Sequence, residues 1–308
     1  MSATLIAVIF ALALGHLAPA LAVAVRRYDW YGVWLRWLSN RMPSNPVVSA
    51  ESLWRMRSRI LVALAPPLLL VGLFQFALRT PLAGVVGLLF AVVVLFYVWG
   101  PRDLDADVDA VIDAEDPDGR REAARRLDAR MQTHPGDGGL MVEAVFANAL
   151  RRWFGVLFWF LLLGPVGALL YRLTTLAAEG EFAQSPNDDA SEGARYLLSW
   201  LDWPVAQAMA LSLALVGNFD TVIGAWRDGD GASFRLGNGF LGAAARASVR
   251  SEIAEEAQEL IEEGASPGNA WAQLGALPEL RDAMSLVWRI LLLWMVILAL
   301  FVVAGWVS

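Results

Sequence analysis

Apolar residues along this chain fall in long uninterrupted runs, with no helical or strand period inside them. Runs occupy residues 2–25, 60–78, 81–99, 154–172 and 286–307. Each is close to the ~20 residues that an α-helix needs to cross the hydrocarbon of a bilayer. Only Arg79 and Thr80 separate the second run from the third, which predicts a tight helical hairpin. A weaker apolar segment, residues 204–226, carries Gln207, Asn218 and Asp220. It is the expected sixth crossing, and five remain if it only dips into the membrane. No basic region precedes the first run, so an uncleaved helix is expected there and not a signal peptide. The expected fold is therefore all-α: a polytopic membrane helix bundle of five or six transmembrane helices, one membrane domain over residues 1–308, with helical cytoplasmic loops.

One run is broken in its middle. In LFWFLLLGPVGALLYR, residues 157–172, Gly164, Pro165 and Gly167 interrupt an otherwise continuous apolar segment. A proline removes one backbone donor and frees the carbonyl four residues earlier. Lipid offers that carbonyl no partner, so the break should face protein or a cavity. The expectation is a proline kink within one span, with the small residues 242–245 as one possible packing partner.

Orientation follows from arginine in the loops, since positive residues resist export. Residues 26–59 hold seven arginines against two acids, residues 100–153 hold eight arginines, and residues 227–285 hold five. Residues 173–203 hold one arginine, Arg195, against six acids. The first three segments are expected on the cytoplasmic side and 173–203 in the periplasm. Six crossings then leave both termini outside.

Composition sharpens the class. The chain is 57% hydrophobic and only 18% charged, against ~25% charged in ordinary soluble domains. It has no cysteine, which excludes disulfide and thiol chemistry. A net charge of −7 gives no reason to expect nucleic acid. Walker, HExxH, GxSxG and CxxC motifs are all absent.

Polar residues leave a few candidates. In RRYDWYGVWLRWLSNR, Trp30, Trp34 and Trp37 recur at helical spacing among Arg27, Arg36 and Arg41. That pattern reads as an interfacial helix, or as a plain extension of the first span. Asp103, Asp105, Asp107 and Asp109 alternate in GPRDLDADVDAV. The first three are candidate metal ligands, against the plainer reading of an acidic helix start that complements the helix dipole. His16 lies inside the first run and His134 in a turn; an ionisable group within a span is a functional candidate, though a lone one is more often simply packed.

Three blocks resemble the AmpE family of bacterial inner-membrane proteins and, more distantly, the cobinamide-phosphate synthases. They are VEAVFANALRRWFGVLFWFLLLGPVGALLYRL (142–173), LLSWLDWPVAQAMALSLALVGNFDTVIGAWRD (197–228) and GNGFLGAAARASV (237–249). The synthases' polar signature, Glu-x-x-x-Glu-Asn-x-x-Asp-Gly, is matched at Glu143 and Asn148. Ala147 stands at its second Glu, and Arg151 and Arg152 replace its Asp-Gly. Ala177 stands where the synthases carry an acid after the LYR string, and Gln207 where they carry an arginine.

The resemblance implies one of two activities. On the AmpE side it implies an inner-membrane modulator linked to β-lactamase induction and cell-wall recycling, working alongside a muropeptide amidase. Such a protein would bind an anionic metabolite through Glu143, Asn148, Arg151, Arg152 and Arg172. Arg172 has a plainer role available, snorkelling from the end of its span, and Arg151 and Arg152 one as its positive-inside flank. On the synthase side it implies an ATP- and magnesium-dependent amide-forming or phosphoryl-transfer enzyme, with Asp103, Asp105, Asp107 and Glu143 on the metal. A transporter is the third possibility, because broken helices mark transporter sites.

Overall fold

Why the apolar runs become helices is a matter of backbone satisfaction: without water, each N–H and C=O must be bonded within its own segment. The computed structural model describes residues 6–11, 25–41, 50–78, 84–100, 104–132, 137–179, 189–233, 236–275 and 277–304. His16, Arg79, Thr80, Asp103 and His134 lie outside these residues, as does most of the first apolar run. The described residues fold as helices without strands. Among them Arg59–Ala77, Gly138–Leu163 and Pro278–Phe301 are long and apolar enough to cross a membrane, and Gly84–Val98 is a shorter apolar helix. The protein is a helical membrane protein.

The chain divides into two compact units. The first comprises Met1–Pro101, Gly155–Leu201 and Phe301–Ser308; the second comprises Arg102–Phe154 and Asp202–Leu300.

In the first unit, α1 (Asp29–Arg41) buries Tyr31, Leu35 and Leu38 at i, i+4, i+7 spacing. It leaves Trp30 and Trp37 exposed, as expected of an interfacial helix. The second run is longer than its apolar part, forming α2 over Ala50–Ala77 with Pro66 and Pro67 inside it. Pro67 cannot donate to the carbonyl of Ala63; the indole Nε1 of Trp34 donates to it instead, at 3.0 Å. α3 (Gly84–Val98) ends with carbonyls that no following turn can bond. Arg26 donates to the carbonyls of Phe96 and Gly100, Tyr28 to that of Tyr97, and Arg172 to that of Val98. Two of these donors are cations, the sign that a helix C-terminus favours.

The broken run departs from expectation. It is not one kinked span but two helices, α7 (Gly155–Leu163) and α8 (Pro165–Glu179), folded back on each other. In a straight helix Gly155 and Tyr171 would stand ~24 Å apart. Here a Cβ on Gly155 would fall within the Tyr171 ring, and one on Gly167 would meet the Trp159 carbonyl. The reversal turns on Gly164, whose φ of +73° suits only glycine. A crossing at 154–172 therefore drops out, and the periplasmic placement of 173–203 no longer follows from it.

The polar cost of the reversal is met by one side chain. Gln75 of α2 donates through Nε2 to the Leu163 carbonyl at 3.0 Å and accepts from the Val166 N–H through Oε1 at 3.1 Å. The break thus faces protein, as expected, but its partner is α2. Residues 242–245 belong to the second unit, where Gly242 lies against the side chain of Glu143.

In the second unit, α4 (Leu104–Ile112) buries Leu104, Val108 and Val111. α5 (Pro117–Leu127) starts on an Asp116 cap with proline at its first position. α6 (Gly138–Ala149) starts on an Asp137 cap and passes through a π-helical turn, Leu150–Phe154, into α7. The expected sixth span does not run to 226. α9 (Asp189–Val216) ends before Gly217, and Asn218 caps a separate amphipathic helix, α10 (Phe219–Asp228). α11 (Gly239–Glu262) packs its small-residue half on α6 and α10 and stops at Gly264, φ +105°. α12 (Pro267–Gln273) and α13 (Pro278–Val303) follow.

Gln75→Leu should destabilise the protein by about 1–3 kcal/mol, because two backbone groups at the reversal lose their partner. Thermal unfolding in detergent checks this, with the exposed Leu73→Ala as a control that shifts little.

Candidate functional site

The residues that carry the synthase-like signature lie on α6 and the turn that follows it. A helix at 3.6 residues per turn sets Glu143, Ala147 and Asn148 near one face. The π turn then widens the spiral by one residue and re-aims Arg151 and Arg152. Nothing in the residue pattern announces that turn.

Each of these side chains has a partner within the second unit. Glu143 sits between two arginines, with Arg246 Nη1 at 2.5 Å from one oxygen and Arg130 Nη1 at 3.6 Å from the other. Gly242, one turn before Arg246 on α11, leaves the space that the Glu143 side chain fills. Asn148 donates to the carbonyls of Leu127 and Ala144, tying α6 to the end of α5. Arg152 pairs with Asp107 of α4 at 2.5 Å, both largely buried. Arg151 lies 3.7 Å from Asp202, whose carboxylate is 5% exposed. Burial by itself would raise the Asp128 carboxyl. Hydrogen bonds from Arg130, with the charges of Arg130 and Arg151, outweigh it and hold Asp128 below the usual carboxylate range.

Arg172 is placed differently. It is mid-helix in α8, 2% exposed, with Nε on the Val98 carbonyl of the first unit. It is therefore neither the end of a span nor a snorkelling residue. The proposed metal ligands are also dispersed. Asp107 is taken by Arg152, and Asp105 accepts from Trp288 Nε1 at 2.8 Å. No group of three acidic, histidine or cysteine side chains converges among the described residues. Magnesium is usually held by one or two carboxylates together with substrate phosphates and water, and Asp105 and Asp107 are each engaged by another side chain here.

What does converge is positive charge. A pocket of about 220 Å³ opens beside the start of α6, lined by Gly138, Gly139, Arg246, Arg250 and Trp271, with Glu279 at its wall. Gly139 leaves room for the Arg246 stem, whose Cδ lies 3.1 Å from where a Cβ would be, and Gly138 leaves room for the Glu279 carboxylate, which shares the pocket wall. Arg250 makes no ion pair among the described residues. Guanidinium groups beside a helix N-terminus suit an anionic oxygen cluster.

Reading the chain alone missed Arg130, Asp202, Arg246 and Gln75. Two left a signal: Asp202 and Gln75 are polar residues within apolar helices, where such residues need a partner. Arg130 and Arg246 left none, since surface helices carry arginines routinely.

The Arg152–Asp107 pair gives a direct test. Asp107→Ala should cost about 3 kcal/mol by stranding a buried guanidinium, while Asp107→Leu with Arg152→Met should recover most of it. Denaturant unfolding of the three proteins checks this; a single-variant loss below about 1 kcal/mol would place the pair with ordinary exposed bridges.

No family model matches the chain, and no solved structure matches it. Among curated proteins, the cobalamin biosynthesis protein CobD of Chromobacterium violaceum is 31% identical over 186 residues, 58% of this chain and 59% of that relative. The chain thus spans less than two thirds of the relative it matches, and the two are distantly related. The relative stands on the synthase side of the resemblance drawn from residues 142–249.

Proposed function

We propose that the chain is a membrane enzyme of the cobinamide-phosphate-synthase type, one that forms an amide or transfers a phosphoryl group on an anionic substrate. The observation that carries this reading is the 31% identity to a cobalamin biosynthesis protein over 186 residues. The retained Glu143 and Asn148 support it. Arg246, Arg250 and the amides at the start of α6 would hold the substrate's carboxylate or phosphate. Glu143 would orient Arg246 through their ion pair. The membrane would be the bacterial inner membrane, with the arginine-rich segments 26–59 and 227–285, and 100–153 as far as the start of the Gly138–Leu163 helix, on the cytoplasmic side.

A second reading has its own support. Four signature positions have become structural. Arg151 and Arg152 pair with Asp202 and Asp107. Ala177 is buried in α8, and Gln207 bonds the Gly231 carbonyl and the Trp226 indole. Such a chain would serve as an AmpE-type modulator in β-lactamase induction, binding an anionic cell-wall metabolite and linked to a muropeptide amidase.

One experiment separates them. Purified protein in nanodiscs, given nucleotide, magnesium, an amine and a corrinoid carboxylate, should show turnover that falls about 10²-fold in Glu143→Gln and Arg246→Ala. Flat turnover with saturable muropeptide binding that Arg246→Ala weakens would select the modulator. Neither turnover nor binding would sink both readings.

A further inference from the structure

An apolar groove in the first unit lies apart from the signature residues above. It measures about 770 Å³, with α1 along one wall, through Trp30, Trp34 and Trp37, and Pro67 and Leu70 of α2 and Val94 of α3 facing them. Its lining is almost entirely carbon, and the chemistry of its polar atoms explains why. Trp34 Nε1 is committed to the Ala63 carbonyl freed by Pro67. Trp30 Nε1 donates to the Tyr97 hydroxyl at 2.8 Å, and that hydroxyl donates to the Arg27 carbonyl. Pro66 and Pro67 have no N–H to offer. A nucleotide, a peptide or an amide-rich substrate would find no donor here, so the part of any occupant that lies in the groove is hydrocarbon.

One end of the groove has the opposite character. Arg41, one turn beyond Trp37 on the same stripe of α1, places its guanidinium 5.2 Å from the Trp37 ring centre. Arg36 is exposed on the far side of the same helix, away from that stripe. Arg41 is in no ion pair among the described residues. An apolar trough that ends at an unneutralised guanidinium complements an amphiphile with a hydrocarbon tail and an anionic head. Tryptophans at headgroup level and arginines toward anionic lipid are the usual terms of such binding.

We propose that this groove is a binding site for one anionic phospholipid of the bilayer, its acyl chain along Trp30, Trp34 and Trp37 and its headgroup at Arg41. The site is independent of the enzyme reading and of the arginine pocket at α6.

Native mass spectrometry of the full-length protein, delipidated and re-lipidated with an equal mixture of phosphatidylglycerol and phosphatidylcholine, tests it. The expected result is a retained phosphatidylglycerol adduct preferred about fivefold for each arginine engaged. Arg41→Glu should remove most of that preference, and Arg36→Glu, an equal charge change on the far side of α1, should leave most of it. Val71→Phe, which narrows the groove, should remove the retained adduct while circular dichroism stays unchanged. Equal retention of the two lipids, a preference that survives Arg41→Glu, or one that Arg36→Glu removes equally, would overturn the proposal. So would a retained adduct unaffected by Val71→Phe, or a concentration-dependent dimer that shields Trp37 and excludes lipid.

Discussion

Every interruption of an apolar helix in this protein leaves a backbone group without its helical partner, and in lipid water cannot supply one. The fold is organised by how those groups are satisfied. Pro67 frees the Ala63 carbonyl, and the Trp34 indole takes it; that bond fixes α1 against α2. The end of α3 leaves carbonyls that Arg26 and Tyr28, just before α1, and Arg172 of α8 cap from two places in the chain. At Gly164 the chain reverses, and the single amide of Gln75 replaces both a donor and an acceptor. In each case the polar side chain within an apolar surround is the one that ties two helices together.

The same economy shapes the polar face of α6. Glu143, Asn148, Arg151 and Arg152 are engaged within the second unit by arginines, carbonyls and acids from α4, α5, α9 and α11. Burying such charges is tolerable only in pairs. Arg151 and Arg152 on this helix are met by acids, Asp202 and Asp107. Glu143 holds Arg246 at the edge of a pocket.

Some of this was legible in the residues alone. Runs at 60–78, 81–99 and 286–307 became α2, α3 and α13, because apolar length is a local property that hydropathy reads directly. The expectation that the GPVG break must meet protein held only in part: the groups that Gln75 bonds are the Leu163 carbonyl and the Val166 N–H, freed by the reversal at Gly164, and not the carbonyl four residues before Pro165. What failed was direction. Hydropathy integrates composition along a segment and is blind to a reversal inside it, so 154–172 read as one span although Gly164 turns it back. The segment at 204–226 failed for a related reason: Asn218 was read as a polar blemish on a span, when it is the cap that begins a new helix.

The amino-acid sequence by itself determined the all-helical membrane class and several of the places where helices stop or bend. These depend on each residue's own backbone and side-chain chemistry. Only the tertiary structure decided which partner answers each freed group: Gln75 at the reversal, Trp34 at Pro67, Asp107 and Asp202 opposite the arginines. Those pairings join residues from about 29 to 91 positions apart. Long-range partners are selected by packing geometry, which no local pattern encodes.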